Sequence, residues 1–317
     1  MNKPTPRRVI SLLPSATEIV CALGATESLV GISHECDFPE SIRHLPALTR
    51  SRIRVDRSSK EIDEAVREAI LHGALSIYAI DDGQLAVLAP DLIVTQDLCE
   101  VCAVSFDDVC GAVARLTHKE DIQIVSLRPT QLHDVLDDIE RVALALGRGE
   151  EGKVLRANLE ARIEAISERA SSASAKPRVV SLEWLDPLML GGTWMPELIS
   201  LAGGTPVGVS IGKAAPTITT QELTRLNPEV VVIKPCGFTI ERTLTERPLI
   251  EGLLPAVDAA RVYITDGNAF FNRPGPRLVE SLEIMAACLH PELFSDFARK
   301  HAAVIVPAHP TLDEAKN

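Results

Sequence analysis

The sequence predicts an α/β protein of two Rossmann-like lobes, each built on a parallel sheet, joined by a long connecting α-helix. Three observations lead there. Strand-and-helix signatures recur in the same order in the two halves of the chain. A central stretch carries only helical periodicity. The residues that bear chemistry gather just after the expected strands. The first lobe is expected over 7–130, a helical connector over 131–175, the second lobe over 176–306 and a tail over 307–317.

The first half opens with "RVISLLPSATEIVCALGA" from Arg8. Residues 9–13 form a short apolar run of the kind that makes a buried strand, and a turn and helix follow. Ser15 and Glu18 have the spacing of a capping box, and Gly24 closes the helix. A second strand is expected over 30–32. The second half opens alike, with "RVVSLEWLDPLMLGGTWMPELISLAGG" from Arg178, a strand over 179–182 and a longer loop. Pro196 suits the first turn of the helix that Gly203 closes.

Two further pairs keep the order. "LAVLAPDLIVTQ" from Leu85 matches "LTRLNPEVVVIK" from Leu223. Each reads as a helix, a Pro-Asp or Pro-Glu turn and a β-rich strand, over 92–95 and 230–233. "IQIVSL" from Ile122 matches "RVYITD" from Arg261. Between the halves, 130–174 has no strand signal. Leu132, Val135, Leu136, Ile139, Val142 and Leu146 recur at helical spacing until Gly147 and Gly149 break the pattern. "EEGKVLRANLEARIEAISERA" resumes as a polar helix of oppositely charged residues. About 20 helical residues span about 30 Å, enough to run from one lobe to the other.

The 317 residues give room for two cores of ordinary size. A net charge of −12, with no basic stripe, excludes nucleic acid as an expected partner. No apolar run approaches the roughly 18 residues that cross a membrane. The amino-terminal segment superficially resembles a secretion signal. Pro14 and Glu18, however, cut its apolar stretch below the roughly 7 to 15 residues required. Val20, before Cys21, is not the small residue a lipoprotein site needs, and Arg7-Arg8 lacks the rest of a twin-arginine signal. The expectation is therefore a cytoplasmic protein whose seven cysteines stay reduced. A periplasmic location would need a start upstream of Met1.

Ligands of parallel α/β sheets bind beyond the carboxyl ends of the strands. If the lobes face each other, those ends line one cleft. They hold Pro14 and Ser15; "SHECDFP" with His34, Glu35, Cys36 and Asp37; and "QDLCEVC" with Cys99 and Cys102. In the second half they hold Trp184, "KPCGF" with Cys236 and Phe238, and "DGNAFFNRPGPR" with Asp266, Phe270, Phe271, Arg273 and Arg277. Six of eleven aromatic residues fall in these loops: Phe38, Trp184, Trp194, Phe238, Phe270 and Phe271. Rings so placed fit a large, partly flat ligand, or else staple loops to the lobe surface. Arg273 and Arg277 suit a clamp on a carboxylate or phosphate, although Arg277 fits the solvated side of a helix equally well. Asp37 and Asp266 read as acceptors or as turn residues.

Cys99-x-x-Cys102 alone is a weak motif. With His34, Cys36 and Cys236 it supplies enough sulfur and nitrogen for zinc or iron. A redox motif should open a helix, and no cap precedes this one. Packed thiols are the alternative, and the expected state of Cys21, Cys110 and Cys288. No Gly-x-Ser-x-Gly, P-loop or His-Glu-x-x-His occurs. Nothing in the sequence orders a catalytic triad, so an enzyme is not the expectation and no cofactor is required. A metal-dependent enzyme or metallochaperone built on the sulfur and imidazole groups is the alternative.

Taken in order, "RVISLLPSATEIVCALGA", "LVGISHECDFPE", "LAPDLIVTQ", "LTRLNPEVVVI" and "ITDGNAFFNRPGPRLVESLEIMAACL" resemble one group. It is the ferric-siderophore and cobalamin class of periplasmic binding proteins, the substrate-binding components of ABC importers. The resemblance implies two lobes on a rigid helix with little hinge motion. It also implies cobalamin, another corrinoid or a siderophore-like metal chelate held between them, and an ABC permease as partner. The chain is expected to be a monomer. The family's aromatic after the "VG-S" strand falls here on Glu35, beside His34. Its acidic residue, aromatic and arginine before the last helix fall on Asp266, Phe270-Phe271 and Arg277. Its permease-docking glutamates fall on Gly83 and Gln221, with Asp82 and Glu222 adjacent. The segment "SSKEIDEAVREAILHGALSIYAID" is longer than the usual one.

Overall fold

The computed structural model describes residues 8–71, 77–96, 106–115, 122–258 and 260–308. The chain divides into two compact units. One comprises Met1–Arg57, Glu61–Pro129 and His133–Asn158; the other comprises Ser58–Lys60, Thr130–Leu132 and Leu159–Asn317.

In the first unit the apolar run after Arg8 becomes β1 (Val9–Ser11), and Pro14 opens α1 (Pro14–Ala22). Then come β2 (Leu29–Ile32), β3 (Thr49–Ser51), α2 (Ser59–Leu71, with Ser59 and Lys60 assigned to the second unit), β4 (Tyr78–Ile80) and α3 (Asp82–Leu88). They are followed by β5 (Leu92–Gln96), α4 (Phe106–Ala114) and β6 (Gln123–Leu127). The sheet order is β2-β1-β5-β6, every pair parallel. Strands β3 and β4 form a separate antiparallel ribbon. Val9, Ile10, Leu92, Ile93 and Val94 are wholly buried, as the continuous apolar runs required.

The periodic stretch forms α5 (Leu132–Ala145), and all six of its spaced apolar residues are buried. Gly147, at φ +73°, makes the left-handed turn before α6 (Gly149–Ser171). This 23-residue helix, about 34 Å long, has residues in both units and is the expected connector.

The second unit continues with β7 (Arg178–Trp184), β8 (Met189–Leu190), α7 (Met195–Leu201), β9 (Thr205–Pro206), α8 (Thr220–Leu226) and β10 (Val230–Ile233). It ends with α9 (Ile240–Leu244), α10 (Arg247–Leu253), β11 (Arg261–Thr265), α11 (Leu278–Leu289), α12 (Ser295–Lys300) and β12 (Ile305–Pro307). Its parallel strands run β9-β7-β10-β11, matching the first sheet strand for strand, and β8 and β12 add antiparallel pairs.

The repeated sequence signatures have a repeated atomic cause. Arg8 donates through Nε to the Leu88 carbonyl at the end of α3 (2.7 Å), and its backbone N–H reaches the Asp91 carboxylate (3.2 Å). Arg178 donates through a terminal guanidinium nitrogen to the Leu226 carbonyl at the end of α8 (2.7 Å), and its backbone N–H reaches Glu229 (2.9 Å). Each arginine thus satisfies a helix-terminal carbonyl that has no partner within its helix, and places positive charge where the helix dipole is negative. Both helices stop on a left-handed residue, Ala89 at φ 40° and Asn227 at φ 44°, ahead of a proline.

An alanine is strained in that region, whereas asparagine tolerates it. Ala89→Gly is expected to stabilise the protein by about 1 kcal/mol. Asn227→Gly should gain less. Urea denaturation reads the difference; a lower midpoint for Ala89→Gly would show that the terminus is held without strain.

Candidate functional site

In the first lobe, β2 delivers Ser33 to Asp37. Buried Thr49, on β3, organises them. Its Oγ1 accepts the backbone N–H of His34 (3.1 Å) and lies 2.7 Å from His34 Nδ1 and 2.9 Å from Ser33 Oγ. His34 is exposed, and its Nε2 has no partner among the described residues. Partial burial lowers the imidazole pKa, against the opposing charge of Glu35, so the ring is neutral at pH 7. In the tautomer that gives Nδ1–H to Thr49, Nε2 presents a lone pair, the arrangement that orients metal-ligating histidines. Tyr78 supports the same loop. Its ring tilts against His34 at 5.3 Å, and its hydroxyl donates to Glu35 Oε1 (2.7 Å).

Other first-lobe candidates fare differently. Cys36 turns inward, 7% exposed, with Sγ 3.1 Å from Thr17 Oγ1. It is a core thiol, not a neighbour of the imidazole in a metal site. Asp37 is half-buried, and its carbonyl accepts Arg43 Nε (3.0 Å). Phe38 is exposed. Pro14 starts α1 with Leu13 as its N-cap, which makes Ser15 the second helical residue. The expected capping box therefore does not form. Proline's fixed φ begins the helix two residues too early for it. Ser15 and Glu18 are both buried instead. Cys99 and Cys102 lie outside the described residues.

In the second lobe the carboxyl ends of three strands meet at a residue that pattern reading passed over. Lys234, 0% exposed at the end of β10, places Nζ 3.2 Å from Glu183 Oε2 and 2.8 Å from Asn272 Oδ1. Asn272 in turn donates to the carbonyls of Lys234 (3.1 Å) and Gly267 (2.8 Å). Glu183 also accepts the N–H of Gly192 (3.3 Å). One ammonium fastens the end of β7 to the loops after β10 and β11. The signal was legible: a lysine directly after "EVVVI", where a buried strand ends.

Trp184 is half-buried. It gives Nε1–H to the Ser59 carbonyl (3.1 Å) and tilts against Phe238 at 5.1 Å. Phe238 is itself buried, with the Arg242 guanidinium 4.4 Å above its ring. Half-buried Cys236 donates its N–H to the Glu183 carbonyl (3.0 Å). Asp266 is a turn residue, its Oδ1 accepting the N–H groups of Asn268 (2.9 Å) and Ala269 (2.8 Å). Phe270 is half-buried, edge-on to His301 at 6.3 Å and 5.5 Å from the Arg277 guanidinium. Arg277 precedes α11 as its N-cap residue. Arg273 is buried and donates to Asn268 Oδ1 (3.0 Å), so it braces the loop rather than offering an open clamp.

Trp194 and Phe271, expected to face a ligand, belong to the core at 6% and 1% exposure. Trp194 Nε1 donates to the Phe271 carbonyl (2.8 Å), and the Phe271 N–H donates to Ser281 Oγ (2.8 Å). Those two bonds hold Phe271 at φ +66°, a left-handed conformation that is costly for so large a residue and turns its ring inside. The apolar area of both rings repays that cost.

Among the described residues no three His, Cys, Asp or Glu side chains stand together as metal ligands, so the expected sulfur–imidazole cluster is not assembled from His34, Cys36 and Cys236. No described helix is long and apolar enough to cross a membrane.

Two parallel α/β lobes sharing one long helix, with a neutral imidazole and aromatic groups at the carboxyl ends of the strands, define a class of two-lobed ligand-binding proteins. The chain belongs to the periplasmic binding protein family, whose profile matches residues 9–269. It is 22% identical over 300 residues to an uncharacterised ABC transporter substrate-binding lipoprotein, YvrC, of Bacillus subtilis, covering 93% of this chain and 83% of that one. It is 23% identical over 287 residues to the vitamin B12-binding protein of Photorhabdus laumondii, covering 88% and 86%. A crystal structure of a periplasmic heme-binding protein from Pseudomonas aeruginosa shares the fold, with a TM-score of 0.67 at 18% identity over 90% of this chain and 94% of that one.

The chain is thus a non-catalytic binding protein of this family, and the ABC transporter partnership is that of the relative YvrC. The family and its relatives also correct the cytoplasmic location expected from the amino-terminal segment: they are periplasmic proteins or lipoproteins. A broken apolar run in the first twenty-odd residues was too local an observation to set the compartment.

Proposed function

We propose that the protein binds a corrinoid, cobalamin or a near relative, as cargo for an ABC permease. The observation that carries this reading is His34. Its ring is pinned through Nδ1 by Thr49 at the carboxyl end of β2, and its Nε2 is free among the described residues. A neutral imidazole held in this way suits the open axial position of a chelated metal. Trp184 and Phe270 supply flat apolar surface of the kind a macrocycle needs. A vitamin B12-binding relative and a heme-binding structure support a metal-bearing macrocycle as the class of ligand.

Docking is proposed at Asp82 and Glu222, first-turn carboxylates of the equivalent helices α3 and α8, beside the aligned Gly83 and Gln221. Asp82 is engaged by Arg115 (2.7 Å) and Glu222 by the Thr219 backbone N–H (2.7 Å), so each is held at a defined place.

Aquocobalamin carries an exchangeable water on cobalt. Titrated into the protein, it is expected to show shifted visible bands as imidazole replaces that water. His34→Ala should abolish the shift, and Thr49→Val should weaken binding roughly tenfold. Bands that stay in place, with no heat on mixing, remove the corrinoid reading.

A further inference from the structure

We infer that Glu246 is a positioning residue for Trp184, acting through the peptide of Ser59. Ser59 belongs with the second unit and is wholly buried. Its two backbone groups point to two different partners. The N–H donates to Glu246 Oε1, and the carbonyl accepts Trp184 Nε1–H at 3.1 Å. One rigid peptide-linked residue therefore stands between a buried carboxylate and the indole.

The carboxylate has little else to do. Glu246 is buried, its Oε2 has no hydrogen-bond partner among the described residues, and Arg242 NH2 lies 3.8 Å from Oε1. A charge held this far from water is costly unless a specific geometry repays it. Here that geometry is the orientation of one ring. Ser59 is the first residue of α2. On the other side of the indole, Phe238 packs at 5.1 Å, and Arg242 covers Phe238 at 4.4 Å while approaching Glu246. Trp184 is thus held at its N–H by Ser59 and by the tilted ring of Phe238. Both supports lead back to Glu246 and Arg242. The indole presents a set face because its polar edge is occupied by the chain itself. A ligand meets it as apolar surface, not as a hydrogen-bond donor.

This rests on the reading that Trp184 touches the cargo, so the experiment has two arms. The first needs no ligand. The chain has two tryptophans, and labelling with 5-fluorotryptophan gives two fluorine resonances, assigned with Trp184→Phe. Glu246→Leu is expected to move the Trp184 resonance and leave that of Trp194 in place, whereas Glu246→Gln, which keeps an acceptor, restores it. Ser59→Pro removes the same N–H at a helical position that tolerates proline, and should reproduce the shift if Glu246→Leu folds poorly.

The second arm is an aquocobalamin titration, in which Glu246→Leu raises Kd roughly tenfold, the cost of misplacing one buried ring contact. A Trp184 resonance unmoved in both Glu246→Leu and Ser59→Pro overturns the inference. A resonance that moves in a protein that binds no aquocobalamin upholds the positioning role and removes the corrinoid reading.

Discussion

Glu283→Ala is expected to destabilise the second lobe by about 3–5 kcal/mol at neutral pH, the cost of breaking a buried ion cluster from one side. Glu283 lies on α11 at 4% exposure, and its carboxylate is met by Arg162 (2.8 Å), Lys300 (2.6 Å) and His301 (2.7 Å). These come from the carboxyl half of α6 and from the segment that ends α12, so one group ties three stretches of chain. Burial pushes the carboxyl pKa up, but the hydrogen bonds from His301, Lys300 and Arg162 outweigh it and hold the pKa at about 2.

A folded pKa below the ordinary 4.5 means that the stabilisation is fully present above pH 4.5 and disappears as pH falls toward 2. Urea denaturation at pH 7 and at pH 3 should therefore show a large gap between wild type and Glu283→Gln that narrows in acid. A gap that stays constant across that window would mean that packing, not charge, holds the cluster. Glu283→Ala should lose more than Glu283→Gln at pH 7, because alanine also leaves a cavity.

The strands were readable because parallel strands covered on both faces demand unbroken apolar runs. The predicted 230–233 run became β10 without change, and β5 runs one residue, Gln96, beyond the predicted 92–95. The duplication was readable because Arg8 and Arg178 perform one task, and the residues they bond must recur at the same spacing. The site was less legible. Strand ends place loops, but they do not say which way a ring turns. Phe270 and Phe271 are neighbours in sequence, yet a left-handed residue sends Phe271 inside while Phe270 stays half-exposed. Cys36 and His34 sit two apart and diverge in the same way, one to Thr17 in the core and one to solvent. The Ser59–Glu246 contact joins residues 187 apart, a separation at which periodicity carries no information.

Lys234→Ala is the second large effect, again about 3–5 kcal/mol, from a cavity and two stranded polar partners together. Burying an ammonium completely costs several kcal/mol, which only close, complementary partners offset. Glu183 supplies charge, and Asn272 supplies a carbonyl while its own amide reaches the backbone of Lys234 and Gly267. The loops approach so closely that a side chain at Gly267 would strike the Pro235 carbonyl, so the network is packed as well as bonded.

Lys234→Met separates the two contributions. It keeps most of the volume, so the stability loss should shrink to about 1–3 kcal/mol, while Glu183 and Asn272 still lose their shared donor. Thermal denaturation ranks the variants, and aquocobalamin titration shows whether loop fastening matters to binding. If Lys234→Met matches wild type in both, the ammonium is filler. If it folds stably but binds weakly, the carboxyl-end loops need that one charge to hold Trp184 and Phe270 where a ligand can meet them. The lysine then serves recognition from a position that no ligand touches.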